Sequence, residues 1–374
     1  MYRRVSTPTA TVEVTRGPES VTESPPVEIK VSDSLEFFPK MTSIKPSLPV
    51  KTSMTLASEA TTVSAVSRPT ASPTTGVLIF GYYRSGSSFI GEMFNRNPNA
   101  LYIFEPLFNI INAQQPKASD IAFLNGTKMS ADDVGTQRIF FHSLIGLFDC
   151  DTSRIPLSVL WSPMYINKDR MMHMRRFTQC TKRNTVKIIS SPCLPIYKDI
   201  CEKATVKAIK CVRLNDINIT ENFLQTNPGI RVIHLLRDPR GALSSGLTTG
   251  AFRSVGAKRA ALDLCERMKN NLVNGRRIQK RYPGRFFEIR YEDVAENPLK
   301  MISYVYKVLS LSITEDIKQT FMRLANGSKA DGAYGTVRTD SNATAHAWKT
   351  KINPEVKQTI DSICVDVLKL VGYA

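Results

Sequence analysis

The run Val77-Leu78-Ile79-Phe80 stops at a turn rich in small residues, Gly81-Tyr82-Tyr83-Arg84-Ser85-Gly86, and passes at once into the helix-forming stretch Ser87-Ser88-Phe89-Ile90-Gly91-Glu92-Met93-Phe94. So short an apolar run, bounded by glycine and serine, reads as a buried strand feeding a helix. The turn has a chemical consequence, because backbone N–H groups gathered at a helix start cradle an anion. The spacing Gly81-xxxx-Gly86-Ser87-Ser88 approaches the nucleotide-binding P-loop, yet Ser87 stands where that motif carries lysine, and Arg84 lies inside the loop instead. That exchange points away from ordinary NTPases; a plain strand-turn-helix is the other reading.

A second run of this kind, Val232-Ile233-His234-Leu235-Leu236, leads into Arg237-Asp238-Pro239-Arg240-Gly241-Ala242-Leu243-Ser244-Ser245. Pro239 suits the first turn of a helix, so Arg237 leaves the carboxyl end of a strand. Ser245 follows about two helical turns later, which lets its hydroxyl and the Arg237 guanidinium converge on one phosphate. The plainer alternative makes Arg237 and Asp238 a local ion pair and Ser245 a surface serine. Two strand-end anion sites in one chain favour a single ligand with phosphate groups at both ends of a nucleoside.

The periodicity predicts strands near 77–80, 101–104, 186–190, 207–212, 231–236 and 285–290, and helices near 87–97, 239–247, 257–281, 298–309, 314–325 and 354–371. Strands separated by helices imply parallel pairing with crossovers. The fold class is therefore α/β, a three-layer sandwich around a central parallel sheet, with both anion sites at the sheet's carboxyl edge.

At these two motifs the chain resembles the Golgi carbohydrate 6-O-sulfotransferases. Arg84-Ser85-Gly86-Ser87-Ser88-Phe89 is similar to their 5′-phosphosulfate loop, and Arg237 through Ser245 to their 3′-phosphate motif. Further matches are Phe104-Glu105-Pro106-Leu107, Leu264-Cys265-Glu266-Arg267-Met268, Arg290-Tyr291-Glu292-Asp293-Val294-Ala295-Glu296-Asn297-Pro298 and Gly335-Thr336-Val337-Arg338 with Trp348-Lys349. The resemblance spans roughly residues 76–372 and implies a P-loop NTPase-like sulfotransferase fold. It implies the sulfuryl donor 3′-phosphoadenosine 5′-phosphosulfate (PAPS), no metal, and transfer to the 6-hydroxyl of galactose, N-acetylgalactosamine or N-acetylglucosamine in a glycan or glycosaminoglycan. Arg84, Ser85, Gly86, Ser87, Ser88 and Phe89 would then hold the 5′ end, and Arg237 and Ser245 the 3′-phosphate. Arg338 would reach the 3′-phosphate from a late loop that an aromatic closes. The Phe-Glu-Pro-Leu wording is closer to the galactose and N-acetylgalactosamine branch, which acts on keratan and chondroitin, than to the N-acetylglucosamine branch with Met-Glu-Pro.

Sulfuryl transfer dictates what else is needed. Negative charge grows on the leaving 5′-phosphate and must meet preorganised donors, here Arg84 and the N–H groups of Gly86, Ser87 and Ser88. The attacking hydroxyl needs a base. Glu105, just past the apolar run Leu101–Phe104, is the candidate, and a structural ion pair is its bland alternative. Among the histidines, His234 lies within a strand and belongs to the core, while His142, His173 and His346 have no motif around them. Asn109 stands near the position where the related enzymes often carry His. The basic stretch Lys168-Asp169-Arg170 to Arg175-Arg176, with Lys182-Arg183, reads as an acceptor groove or as a solvated face. Gly327, Gly332 and Gly335 would let the Arg338 region act as a lid.

Lys and Arg exceed Asp and Glu by 17 charges, which favours polyanionic partners. No zinc-finger, helix-turn-helix or RNP pattern points to nucleic acid, so an acidic glycan and PAPS account for the charge. The seven cysteines show no CxxC and no metal-ligand spacing. Sequons at Asn125, Asn218, Asn326 and Asn342 fit a secretory passage, where disulfides form; Cys150/Cys180 or Cys193/Cys201/Cys211 are candidates, with one thiol left over. Residues 1–75, rich in Ser, Thr and Pro, are expected to be a disordered stem, with residues 76–374 the catalytic domain. The family resemblance implies a Golgi lumen enzyme with a membrane anchor, which this sequence does not contain. A P-loop kinase, or a catalytically silent glycan-binding protein, are the alternative functions.

Overall fold

The computed structural model describes residues 74–113, 120–130, 132–160, 162, 170–183, 192–332 and 335–373. The strand expected near 186–190, and the stem as far as residue 73, lie outside the described residues. The strands are β1 (Thr75–Phe80), β2 (Ala100–Phe104), β3 (Ile121–Ala122), β4 (Lys128–Met129), β5 (Val206–Cys211), β6 (Ile230–Leu236) and β7 (Phe286–Arg290). Five of them form one sheet in the order β2-β5-β1-β6-β7, and every neighbouring pair is parallel. The short β3 and β4 pair antiparallel apart from it.

Every side chain of β2 and β5 is buried. Because successive side chains point to opposite faces, both faces of the sheet must be covered, which is the three-layer arrangement that periodicity predicts. The Ser87–Asn95 helix packs on β2 and β5, Ile219–Thr226 on β6 and Gly256–Arg281 on β7. From β1 the chain runs to the β2 edge and returns through β5, then crosses β1 to build β6 and β7. The order thus reverses around β1, and the carboxyl end of β1 is the place where such sheets bind ligands.

The remaining expected strands and helices are present with ends shifted by one or two residues. One expected helix divides. The stretch 354–371 forms Pro354–Ile363 and Val365–Val371, and the break falls at Cys364, which is bonded to Cys265. The other disulfides join Cys150 to Cys201 and Cys180 to Cys193, leaving Cys211 as a buried thiol. This corrects the cysteine expectation: Cys150 and Cys180 do not pair with each other, and Cys193 and Cys201 each reach outside their group. An odd thiol does remain. Spacing could not reveal the pairs, because each bond joins elements that only tertiary packing brings together.

Candidate active site

Five strand ends open onto one cavity of about 490 Å³, lined by Arg84, Gly86, Ser87, Ser88, Phe89, Glu105, Arg237, Ser245 and Arg338 among others. Eight of the nine residues expected at the cofactor, and both expected at the chemistry, therefore share one chamber. The exception is Ser85, which is fully buried; its Oγ accepts the Tyr82 N–H at 3.3 Å. Ser85 shapes the turn and is not among the residues that line the cavity.

Gly86 is the N-cap of the Ser87–Asn95 helix, at φ 81. A Cβ there would be strained and would also run into the Tyr291 ring. The Phe89 and Ile90 N–H groups both return to the Gly86 carbonyl, while those of Gly86, Ser87 and Ser88 have no acceptor among the described residues. The helix start so presents three donors to the cavity.

Arg84, in the turn after β1, and Glu105, directly after β2, both sit at positive φ, 61 and 48. Sparsely populated backbone of this kind persists where the surrounding fold fixes it, and it clusters at functional sites. The two expected phosphate sites are joined. Arg84 Nε donates to Ser245 Oγ at 3.0 Å, and Arg237 Nη1 donates to the Arg84 carbonyl at 2.8 Å.

Arg237 forms no pair with Asp238, contrary to the plainer alternative. Asp238 caps the Pro239–Thr248 helix through the Arg240 N–H and binds the Arg240 guanidinium at 2.8 Å. Arg237 instead lies over the Tyr291 ring, 4.7 Å from its centroid. The residue is 9% exposed and its buried Nε has no hydrogen-bond partner. A buried guanidinium with an orphaned N–H fits an anion such as a phosphate, which would supply the missing acceptor.

Glu105 is 2% exposed and ion-paired twice, with Lys210 Nζ and with Arg213 Nη1, each at 2.7 Å. The Val212 N–H adds a hydrogen bond at 3.1 Å. Burial alone would raise the Glu105 carboxyl, but the charges and hydrogen bonds of Lys210 and Arg213 outweigh it and hold it below the usual range. Burial draws the Lys210 ammonium below the usual lysine range, with Glu105 opposing. Glu105 is thus an ionised carboxylate in the cavity wall, facing two cations. The candidate base and the ion pair are the same residue.

The late loop also reaches the chamber through Gly332, Gly335 and Arg338. Here the Arg338 guanidinium is turned onto its own loop, donating to the Val337 and Gly335 carbonyls at 2.8 Å each. The buried Trp348, which also lines the cavity, is covered by the Arg240 guanidinium at 4.8 Å. The basic stretch divides: Arg170 lines the cavity and stacks on Phe104 at 4.7 Å, whereas Arg175, Arg176, Lys182 and Arg183 are exposed. His234 is a core residue, bonded to Tyr82 Oη at 2.8 Å, and burial, with Arg276 adding, pushes its pKa down to about 3. His346 pairs with Glu296 at 2.8 Å. Asn109 donates to the Ser158 carbonyl at 2.8 Å.

Sequence reasoning missed Lys210, Arg213 and Tyr291 as parts of the site. One signal was available: the β5 run Val206-Lys207-Ala208-Ile209-Lys210-Cys211 carries two lysines inside an otherwise apolar strand, and a buried lysine needs a partner. Lys207 and Lys210 lie on opposite faces. Lys207 Nζ donates to the Phe148 carbonyl at 2.8 Å, while Lys210 serves the chamber.

Residues 212–316 match the model of the sulfotransferase family. Carbohydrate sulfotransferase 1 of Danio rerio is 27% identical over 333 residues, covering 80% of this chain and 78% of that protein. This chain is a homologue of the carbohydrate sulfotransferases. The human carbohydrate sulfotransferase 1 is 28% identical over 337 residues, covering 80% and 79% of the two chains. Carbohydrate sulfotransferase 2 of Mus musculus is 23% identical over 364 residues, covering 79% and 64%. As a sulfotransferase homologue the chain carries both of its strand-end anion motifs in a single cavity, and the matched span takes in the Arg237 turn and β7.

Proposed function

We propose that this protein transfers a sulfuryl group from PAPS to the 6-hydroxyl of a galactose, N-acetylgalactosamine or N-acetylglucosamine residue in a glycan or glycosaminoglycan. The observation that carries the reading is the junction of the two anion sites, where Arg84 touches Ser245 and Arg237 keeps a buried, unpartnered Nε. The similarity to named carbohydrate sulfotransferases supports a sugar as acceptor. Asn125, Asn326 and Asn342 are exposed sequon residues, which agrees with a Golgi lumen location.

In this reading the N–H groups of Gly86, Ser87 and Ser88, with Arg84, bind the 5′ end of the donor, and Arg237 and Ser245 bind the 3′-phosphate. When bound, PAPS supplies an activated sulfuryl group on a phosphate leaving group. Glu105 accepts the proton of the attacking hydroxyl. Two adjacent cations make it a weak base, which suits a proton that moves late, after most of the bond to the leaving oxygen has broken. Arg84 and the helix start stabilise the charge left on the 5′-phosphate oxygen. Arg170 and Arg213, beside Phe104 and Phe108, give the acceptor end a positive, aromatic wall that suits an acidic sugar chain. Incubation with sulfur-labelled PAPS and a panel of desulfated glycans tests the reading: label on a 6-hydroxyl is expected, and label on no glycan would refute it.

A further inference from the structure

The stretch Arg290–Pro298 lies within the span that matches the sulfotransferase family, yet the site described above draws only on its Tyr291, the ring under Arg237. Glu292 follows that residue, is 2% exposed and is absent from the cavity lining. Its two oxygens face in different directions. Oε1 accepts the Asp238 N–H at 3.0 Å, the amide immediately after Arg237. Oε2 accepts the Tyr373 hydroxyl at 2.7 Å.

Tyr373 is held there from several sides. Gly372, at φ 77, ends the Val365–Val371 helix and turns the chain back. The Tyr373 carbonyl accepts Arg240 Nη2 at 2.7 Å, and Arg290 stacks on its ring at 4.8 Å. The helix before it is fixed by the Cys265–Cys364 disulfide, and its Leu370 carbonyl accepts Arg276 Nη2 at 2.8 Å. The groups that hold Glu292 and Tyr373 directly, Asp238, Arg240 and Arg290, thus lie within three residues of Arg237 or next to Tyr291, the ring that carries the Arg237 guanidinium.

We propose that Glu292 and Tyr373 are positioning residues, a clamp that fixes the peptide after Arg237 so that donor affinity depends on a tyrosine lying outside the cavity. The inference rests on the donor reading above. The Glu292 side chain fixes that amide by accepting its N–H, and the Tyr373 hydroxyl, donating to the other oxygen, keeps the carboxyl group aimed. Without it, the Arg237 turn samples other orientations, and part of the binding free energy is used in ordering it.

The test combines calorimetric titration with 3′-phosphoadenosine 5′-phosphate (PAP), acceptor KM at saturating PAPS, and hydrogen exchange at the Asp238 amide, on the whole chain. Tyr373→Phe keeps the ring and the Arg240 contact and removes only the hydroxyl. The clamp predicts about 3- to 10-fold weaker PAP binding, as expected for one hydrogen bond, faster exchange at Asp238 and an unchanged acceptor KM. Glu292→Gln, which retains an acceptor for the Asp238 N–H, should keep more affinity than Glu292→Ala. Unchanged exchange and unchanged PAP affinity in Tyr373→Phe would overturn the clamp. So would parallel losses in PAP affinity, acceptor KM and melting temperature, the pattern of general destabilisation. If the unmodified protein binds no PAP, the donor reading fails instead, and exchange at Asp238 alone decides the clamp.

Discussion

Glu105→Gln separates chemistry from architecture at the residue where the two coincide. The substitution removes a buried charge whose partners stay in place: Lys210 is 4% exposed and Arg213 is half-buried. Breaking a buried pair by removing one partner costs about 3–5 kcal/mol, because the other charge is left uncompensated. For a domain of roughly 300 residues, with an unfolding entropy of about 2.1 cal/mol/K per residue, this lowers the melting temperature by roughly 5–8 °C. As a base, Glu105 should account for about 10²–10⁴-fold in turnover. The two effects come apart in Glu105→Gln/Lys210→Met, which removes both charges. Scanning calorimetry should show most of the lost stability returning in the double variant, while turnover stays as low as in the single one. Turnover that recovers with stability, or a single variant near wild-type rate, would refute the base assignment. The pH dependence follows in sign. Glu105 is held below its unfolded value, so its contribution is complete above about pH 4.5 and disappears as pH falls through the lower folded value. Wild-type stability should drop in that acid window by more than that of Glu105→Gln.

The disulfides close loops of different length, with sequence separations of 99 for Cys265–Cys364, 51 for Cys150–Cys201 and 13 for Cys180–Cys193. Replacing each pair by alanine should cost about 4.7, 4.1 and 2.9 kcal/mol in that order, by the loop-entropy relation, and urea titration checks the ranking. Cys211 is fully buried and burial raises its thiol well above the usual range, so alkylating reagents should label it only after unfolding, as mass spectrometry before and after denaturation would show.

Much of the fold was legible because its strands are short and buried on both faces. Runs such as Val77–Phe80 and Val232–Leu236 cannot lie on a surface, and the glycine, serine and proline after them mark where each strand gives way to a helix. The same punctuation located Arg84 and Arg237, because strand ends are where an open sheet gathers its ligand groups. Other parts depend on what lies across the fold. Lys210 meets Glu105 because Phe104 and Lys210 are partners in the β2–β5 register, and no local pattern announces a register between strands about a hundred residues apart. Ser85, one position after Arg84, looked identical in kind to Ser87 and Ser88. It turns inward because the tight turn at Tyr82 needs an acceptor. Tyr291, Glu292 and Tyr373 reach the Arg237 turn from the sheet edge and from the far end of the chain, by contacts that only the folded chain creates.

The central claim is that the Gly86–Ser88 helix start and the Arg237–Ser245 pair form one nucleotide site with two anion-binding ends. Calorimetric titration of the whole protein with PAP and with adenosine 5′-phosphate, which lacks the 3′-phosphate, tests it directly. A charge-assisted contact to the 3′-phosphate contributes about 1.5–3 kcal/mol, so PAP should bind about 10- to 150-fold more tightly. Arg237→Ala should erase most of that difference while leaving adenosine 5′-phosphate binding nearly unchanged. Equal affinity for the two nucleotides in the unmodified protein, or a preference for PAP that survives Arg237→Ala, would contradict the account.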